Sequence, residues 1–406
     1  MSTEETRVKQ SLRSRLFLPA LLLGTFLVNM YRIFLSNALV DVASSLKVTV
    51  GTASQIFTID SFVGLIVGIT IGFLAVSFKH KSLYLLGVAF YVVGVLGAFF
   101  APDFASTLIF VIFLGISYTL VGIMVYALVG DFLPLEKRGM AVGLVVAVAF
   151  LANVIVAQAT SVITNAMGWR AVLLWFIFPI AVASLLLGFF VLPSKPRQEQ
   201  TANKPQYLEA FKQVLLNKSA LACQIATALV ILSAIVSVYA VSFYILHFHT
   251  SLSTASIFYS VASVAGILGV LVGGRLINRV GRKSLTIVTG VIEGIFATLI
   301  VFVPNVWASA AMWMVSAGFG TATFAGLASL SLEQVPSFRG TMMSINASFS
   351  NIGVIVGVSI SGLLLNLYVN NFQILFVMFG AAGVASAAVV FFFTKDPCKN
   401  QLPSAA

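Results

Sequence analysis

The chain has 406 residues, 60% of them hydrophobic and only 9% charged, with a mean hydropathy of +1.06 and a formal net charge of +11. Soluble domains carry about 25% charged residues, so these proportions exclude a water-covered globule and place lipid around most of the surface. The two cysteines, Cys223 and Cys398, lie far apart without ligand spacing, which supports neither a metal site nor a disulfide framework.

The leader "STEETRVKQSLRSR" could pass for the start of a signal peptide. The apolar run after it is too long and is followed by many more, so residues 1–15 read as a cytoplasmic tail. A spanning helix needs about 20 largely apolar residues. Twelve segments meet that: 16–40, 52–78, 82–101, 105–130, 139–163, 170–192, 219–246, 254–277, 284–303, 306–331, 340–365 and 371–394. The longest polar interruption, 193–218, is a cytoplasmic linker dividing a bundle at 16–192 from one at 219–394, with a second cytoplasmic tail at 395–406. The expected fold is all-α: twelve transmembrane helices in two six-helix bundles related by a pseudo-two-fold repeat.

Placement of the basic residues orients the chain. With the N-terminus cytoplasmic, the inner segments hold 20 of the 23 Lys and Arg, the outer loops hold Lys47 and Arg170, and Arg32 lies inside the first span. Positive charge stays on the cytoplasmic side, so both termini are expected there, in an inner or plasma membrane. The same split explains the basic balance without nucleic acid.

The two halves echo each other. "GFLAVSFKHKS" from Gly72 matches "GRLINRVGRKS" from Gly274 at an offset of 202, Gly64 and Gly266 keep that offset, and Arg138 and Arg339 lie 201 apart. Internal repetition of six-helix bundles implies a secondary transporter with its solute site near the midplane. The segment around Gly274 also superficially matches a phosphate-cradling loop. Its glycine spacing is wrong and no Gly-Lys pair follows, so ATP binding is not indicated. An ion or solute gradient is left as the energy source.

The stretch "GRLINRVGRK", 274–283, resembles the cytoplasmic loop signature of the major facilitator superfamily, and the turns at Pro134–Gly139 and Pro336–Gly340 and the run "GWRAVLLWF" are similar to that family as well. The resemblance covers the whole chain. It implies a transporter rather than an enzyme, acting by alternating access, with no cofactor. Its implied partners are a small-molecule solute, a coupling ion (a proton first), the lipid bilayer and no nucleic acid, with the chain a monomer. It also implies inner-gate roles for Gly274, Asn278, Gly281, Arg282, Lys283, Arg138 and Arg339. The chain departs from the signature where the family's aspartate is Asn278 in one half and Val76 in the other, and where the first-half glycine is Lys79. Span 4 has Val111 where proton-coupled drug exporters carry arginine, and span 5 lacks their proline-glycine pattern. These absences count against a drug/proton antiporter.

Arg32 is the outstanding site candidate. A central membrane arginine costs about 2.5–3.5 kcal/mol on translocon scales and more in simulations, so it needs a partner or a wet cavity. Thr25, Asn29, Arg32 and Ser36 form one polar stripe at helical spacing. The alternative is an arginine that snorkels outward or braces the bundle. "NMYRIFLSNALVDVASSL" resembles span 1 of the family's organic-anion symporters, in which an arginine contacts substrate; that likeness implies anion recognition by Arg32, although span 7 offers no second arginine.

Asp60 lies at matched depth on span 2, either as a static partner of Arg32 or as a proton-linked switch. Glu293, within span 9, is a proton-coupling candidate or a hydrogen-bonded packing residue between Gly290 and Gly294. Tyr244, Trp313 and Asn346 are further substrate-binding candidates on spans 7, 10 and 11, beside Ser233, Ser237, Ser316, Thr321 and Ser350. Hydroxyls and amides inside such helices commonly serve packing. His247 and His249 read as interfacial. The sequence therefore points to uptake of an organic anion, with efflux of lipophilic compounds and a transport-inactive receptor as alternatives.

Overall fold

The computed structural model describes residues 3–193, 212–214, 216–336, 339–368 and 371–397. The tail beyond residue 397 and most of the 193–218 linker lie outside them, Cys398 included. Eleven helices among the described residues are long and apolar enough to cross a membrane. The helix Arg282–Leu299, read from the sequence as the ninth span, holds Arg282, Lys283 and Glu293 within its 18 residues and completes the twelve.

The chain divides into two compact units, one of residues 1–48 and 62–201, the other of residues 49–61 and 202–406. In the first, α1 (Thr3–Asn37) ends one residue before the short α2 (Leu39–Ser45). There follow α3 (Val50–Ser77), whose first turns belong to the second unit, α4 (His80–Phe100), α5 (Phe104–Phe132) and α6 (Leu135–Met167). The last span is composite: α7 (Trp169–Ala171), a π-helical stretch Val172–Ile177, and α8 (Phe178–Val191). Such wide turns mark places where a helix is locally re-aimed. In the second unit the seventh span is also divided, into α9 (Lys218–Ala234) and α10 (Val236–Phe248). Then come α11 (Leu252–Val280), α12 (Arg282–Leu299), α13 (Val306–Leu332), α14 (Arg339–Leu367) and α15 (Phe372–Phe393).

Each unit is apolar outward and partly polar inward. Ile69, Phe100, Val162, Phe189, Phe302, Leu363 and Phe392 are exposed, while Thr107, Ser117, Ser184, Gln224, Thr286 and Ser386 are buried. Lipid gives no hydrophobic drive for helices to associate, so small residues and interhelical hydrogen bonds hold them together. The α11–α13 pair shows this. Gly269 and Gly273 bring α11 onto Gly318 and Ala322, and Thr321 Oγ1 donates to Gly266 O at 2.7 Å. The short loops end in side-chain caps: Asp103 Oδ1 accepts from Ser106 N–H at 2.8 Å, and Asn305 Oδ1 accepts from Trp307 and Ala308 N–H. The Ser106 backbone N–H holds the Asp103 carboxyl below the usual aspartate range.

The internal repeat extends to individual contacts. Lys81 Nζ donates to Phe189 O at 2.8 Å and Leu192 O at 2.6 Å, closing the C-terminus of α8. Lys283 Nζ donates to Phe391 O at 2.9 Å and Thr394 O at 2.7 Å, closing α15. Donor and both acceptors all shift by 202 residues (283 − 81, 391 − 189, 394 − 192). A helix end leaves carbonyls without partners and carries partial negative charge, so a lysine there satisfies both needs. Each bundle thus ties its third helix to the end of its sixth with the same cation.

Candidate functional site

In the first unit the stripe predicted on span 1 lies along α1, and its members differ in what they do. Thr25 Oγ1 donates to Leu21 O at 3.0 Å and Asn29 Nδ2 to Thr25 O at 2.8 Å, so both turn back on their own helix. Ser36 is buried. Arg32 is half-buried and lays its guanidinium over the ring of Tyr118 on α5, Cζ 3.6 Å from the centroid. One residue earlier, Tyr91 Oη of α4 accepts from Tyr31 N–H at 3.2 Å. A desolvated cation–π contact is worth up to about 2 kcal/mol, which offsets part of the cost of an arginine at that depth and uses the face of the guanidinium rather than its N–H donors. Sequence reading missed Tyr118 and Tyr91. Two tyrosines in spans next to a buried cation were the available signal.

In the second unit, Tyr244 and Trp313 come together, with rings 5.8 Å apart. Both are buried: Tyr244 also packs against Phe258 at 5.1 Å and reaches Ser309 Oγ at 3.3 Å, and Trp313 meets Tyr259 edge-on. They form an aromatic core within that unit. Asn346 is buried as well, and donates to Gln224 Oε1 at 3.2 Å and Thr227 Oγ1 at 2.8 Å, joining α14 to α9. Gln224 in turn donates to Met342 Sδ at 3.2 Å.

The two intramembrane acids are both 3% exposed. Asp60 sits in the part of α3 that belongs with the second unit, where Tyr239 Oη donates to Ser54 Oγ at 2.8 Å and Gln55 and Thr58 reach α14. Glu293 points from α12 to Gly320 on α13, facing the hydroxyls of Ser233 and Thr323.

At the predicted inner-gate turns, Arg138 Nε donates to Leu133 O at 3.0 Å, closing the end of α5, and Asp131 pairs with His80 Nδ1 at 2.7 Å. Gly281 has φ +86° between α11 and α12, which only glycine adopts without strain. Its counterpart Lys79 is at φ −67°, ψ 133°, so the first-half turn takes an ordinary backbone and accepts a lysine. Gly274 has open space around its Cα. Arg282 is partly buried and Lys283 is the α15 cap. The side chains of Asn278 and Arg339 lie outside the described set. Among the described residues no group of three His, Cys, Asp or Glu could hold a metal ion.

Twelve spans in two repeated halves, with lysine-capped ends and signature turns, define a multi-pass membrane protein of transporter architecture. The chain belongs to the Major Facilitator Superfamily, whose model matches residues 21–246 and 225–406. A solved nucleoside transporter, NupG, aligns over 92% of this chain and 98% of its own at 16% identity and TM-score 0.76. A D-xylose-proton symporter aligns over 94% and 98% at 16% identity and TM-score 0.77. A bacterial homologue of the human lysosomal transporter Spinster aligns over 94% of each chain at 15% identity and TM-score 0.72. At these identities the likeness is one of fold. The facilitated trehalose transporter Tret1 of Polypedilum vanderplanki is 37% identical over 100 residues, which span 23% of this chain and 19% of that protein.

Proposed function

We propose that the chain is a secondary active transporter moving a small organic anion across the cell membrane by alternating access, coupled to protons, with both termini cytoplasmic. The observation that carries the anion reading is Arg32: a full positive charge inside a span, positioned by Tyr118 through its face. A guanidinium so oriented has its planar N–H fork as the recognising edge for a carboxylate or phosphate. Asn29 is the neighbouring amide one turn away. Asp60 and Glu293 are the candidate proton carriers. The cytoplasmic turns around Arg138, Gly281, Arg282 and Arg339 would form the inner gate.

A second reading is an uncharged polyol. It is favoured by the short match to a trehalose transporter and by the nucleoside and xylose carriers among the fold neighbours. A thermal-shift screen of the purified protein against carboxylates, sugars, nucleosides and hydrophobic cations separates these readings, because a ligand that binds the folded state stabilises it, by about 2.7 kcal/mol at 100 times its Kd. Carboxylates are expected to raise the melting temperature. Stabilisation by sugars or nucleosides alone would replace the anion reading with the polyol one.

A further inference from the structure

The seventh span is interrupted beside Glu293. After Ala234 the helix tightens: Ile235 N–H reaches Leu232 O at 3.3 Å and Val238 N–H reaches Ile235 O at 2.9 Å. Ser237 Oγ donates to the Ala234 carbonyl at 2.8 Å. Within a membrane a break in the backbone ladder needs replacement partners of this kind, so the interruption is supported by its own side chains. Gly357 of α14 makes room for Ile235, since a Cβ there would collide with Ile235 Cδ1.

Two residues before the break, Ser233 turns towards Glu293. Both are buried, and among the described residues neither Ser233 Oγ nor Glu293 Oε2 has a hydrogen-bond partner. The surroundings hold them close. A Cβ at Gly383 of α15 would lie 3.2 Å from Ser233 Oγ, and one at Gly320 of α13 would lie 3.0 Å from the Glu293 carboxyl. Thr323 is tied to Thr289 at 2.9 Å, and Ser316 Oγ donates to the Glu293 carbonyl at 3.3 Å. Among the described residues no counter-charge stands nearby. The helices α13 and α15 contain no titratable residue. On α9 the titratable groups are Lys218, in its first turn, and Cys223. On α11 they are Tyr259 and, in the cytoplasmic turns, Arg275 and Arg279. On α12 itself they are Arg282 and Lys283 at its start. Lys218 is 15 residues from Ser233, about 22 Å along a helix. A carboxylate buried without a counter-charge is costly. A carboxylic acid that donates its O–H from Oε2 to the Ser233 hydroxyl gives partners to both of these atoms, Glu293 Oε2 and Ser233 Oγ.

We propose that Glu293 and Ser233 form a proton-binding site inside the second unit, and that the proton held there latches the break at Ile235 between α9 and α10. The inference rests on the proton-coupled reading above and assigns it a position. When the proton leaves, Ser233 can only donate to a carboxylate whose charge is left without a counter-ion, and the water that this charge draws in opens the break. When it returns, the break closes. The covalent structure is unchanged throughout; one proton passes between Glu293 and bulk water.

The test uses full-length protein in nanodiscs without solute, so its outcome is independent of which substrate is carried. Amide hydrogen exchange over 232–240 is followed against pH, corrected for the intrinsic pH dependence of exchange. In wild type, protection of these amides is expected to fall about tenfold as pH rises, the scale of one hydrogen bond of about 1.4 kcal/mol. Glu293→Gln, which keeps a neutral hydrogen-bonding group, should stay protected with no such pH dependence, and Ser233→Ala should be unprotected at every pH. A carbodiimide, which reacts with protonated carboxyls, should modify wild-type Glu293 at low pH and progressively less as pH rises; this arm needs no variant to fold. The proposal is overturned if the pH dependence persists in Glu293→Gln, if Glu293 never reacts with carbodiimide, or if exchange over 232–240 follows sodium concentration instead of pH.

Discussion

Arg32→Leu is expected to weaken carboxylate binding by about one to two orders of magnitude while leaving the protein folded. The substitution deletes the charge proposed to recognise the solute, together with its contact with Tyr118, but it puts in their place a side chain at home in a span. Hydrogen bonds to a charged group are worth about 1.5–3 kcal/mol, so affinity for an anionic ligand should fall roughly 10- to 150-fold. Arg32→Lys keeps the charge and loses the planar fork, which places it between wild type and Arg32→Leu. Tyr118→Leu removes only the platform, worth about 0.5–2 kcal/mol, and should weaken binding by a smaller factor without abolishing it. Ligand titrations read by thermal shift give all three values. Undiminished carboxylate affinity in Arg32→Leu would make the arginine a structural brace.

The largest effect on stability is expected at Gly269. A Cβ there would fall inside contact distance of the Gly318 carbonyl oxygen and lie 2.5 Å from Thr321 Oγ1, and both neighbours belong to the helix that α11 packs against. Gly269→Leu must therefore push α11 away from α13, breaking the Thr321–Gly266 hydrogen bond and costing about 3 kcal/mol or more. Gly274, one and a half turns further on, has nothing within 4 Å of the same position. Gly274→Ala should leave the fold intact, or stabilise it by up to about 1 kcal/mol through helix propensity. Size-exclusion profiles and melting temperatures in detergent check the pair. A Gly269→Leu protein as stable as wild type would contradict the close α11–α13 packing. Should Gly274→Ala fold normally yet fail to transport, the signature glycine serves movement rather than packing.

The spans were legible because length and apolarity alone define a membrane crossing. The repeat was legible because its 202-residue offset runs through glycines and lysines whose roles are local. The contact of Lys81 with α8 and of Lys283 with α15 was not visible, since it joins positions 108 to 111 residues apart. Lys283, singled out from the signature loop, turned out to have that capping contact. The interruptions at Ala38 and Ile235 involve neither proline nor glycine at the break, so composition gives no warning of them, whereas the π-helical stretch Val172–Ile177 runs up to Pro179, which has no N–H for the Trp175 carbonyl. Tyr244, Trp313 and Asn346 looked alike in sequence to any polar or aromatic residue facing a cavity. Only the packing shows that the first two form an aromatic core and that Asn346 belongs to an amide network with Gln224. Arg32 was conspicuous by its charge alone, whereas its platform Tyr118 lies 86 residues away on another helix (118 − 32).

The measurement that tests the central claim most directly is flux into proteoliposomes. Wild-type protein, an inward-directed proton gradient and a labelled carboxylate chosen from the stabilising ligands should give accumulation that collapses when a protonophore is added, and Arg32→Leu should give none. A wild-type protein that carries sugars or nucleosides but no carboxylate, or an Arg32→Leu protein that accumulates the anion as well as wild type, would contradict the account.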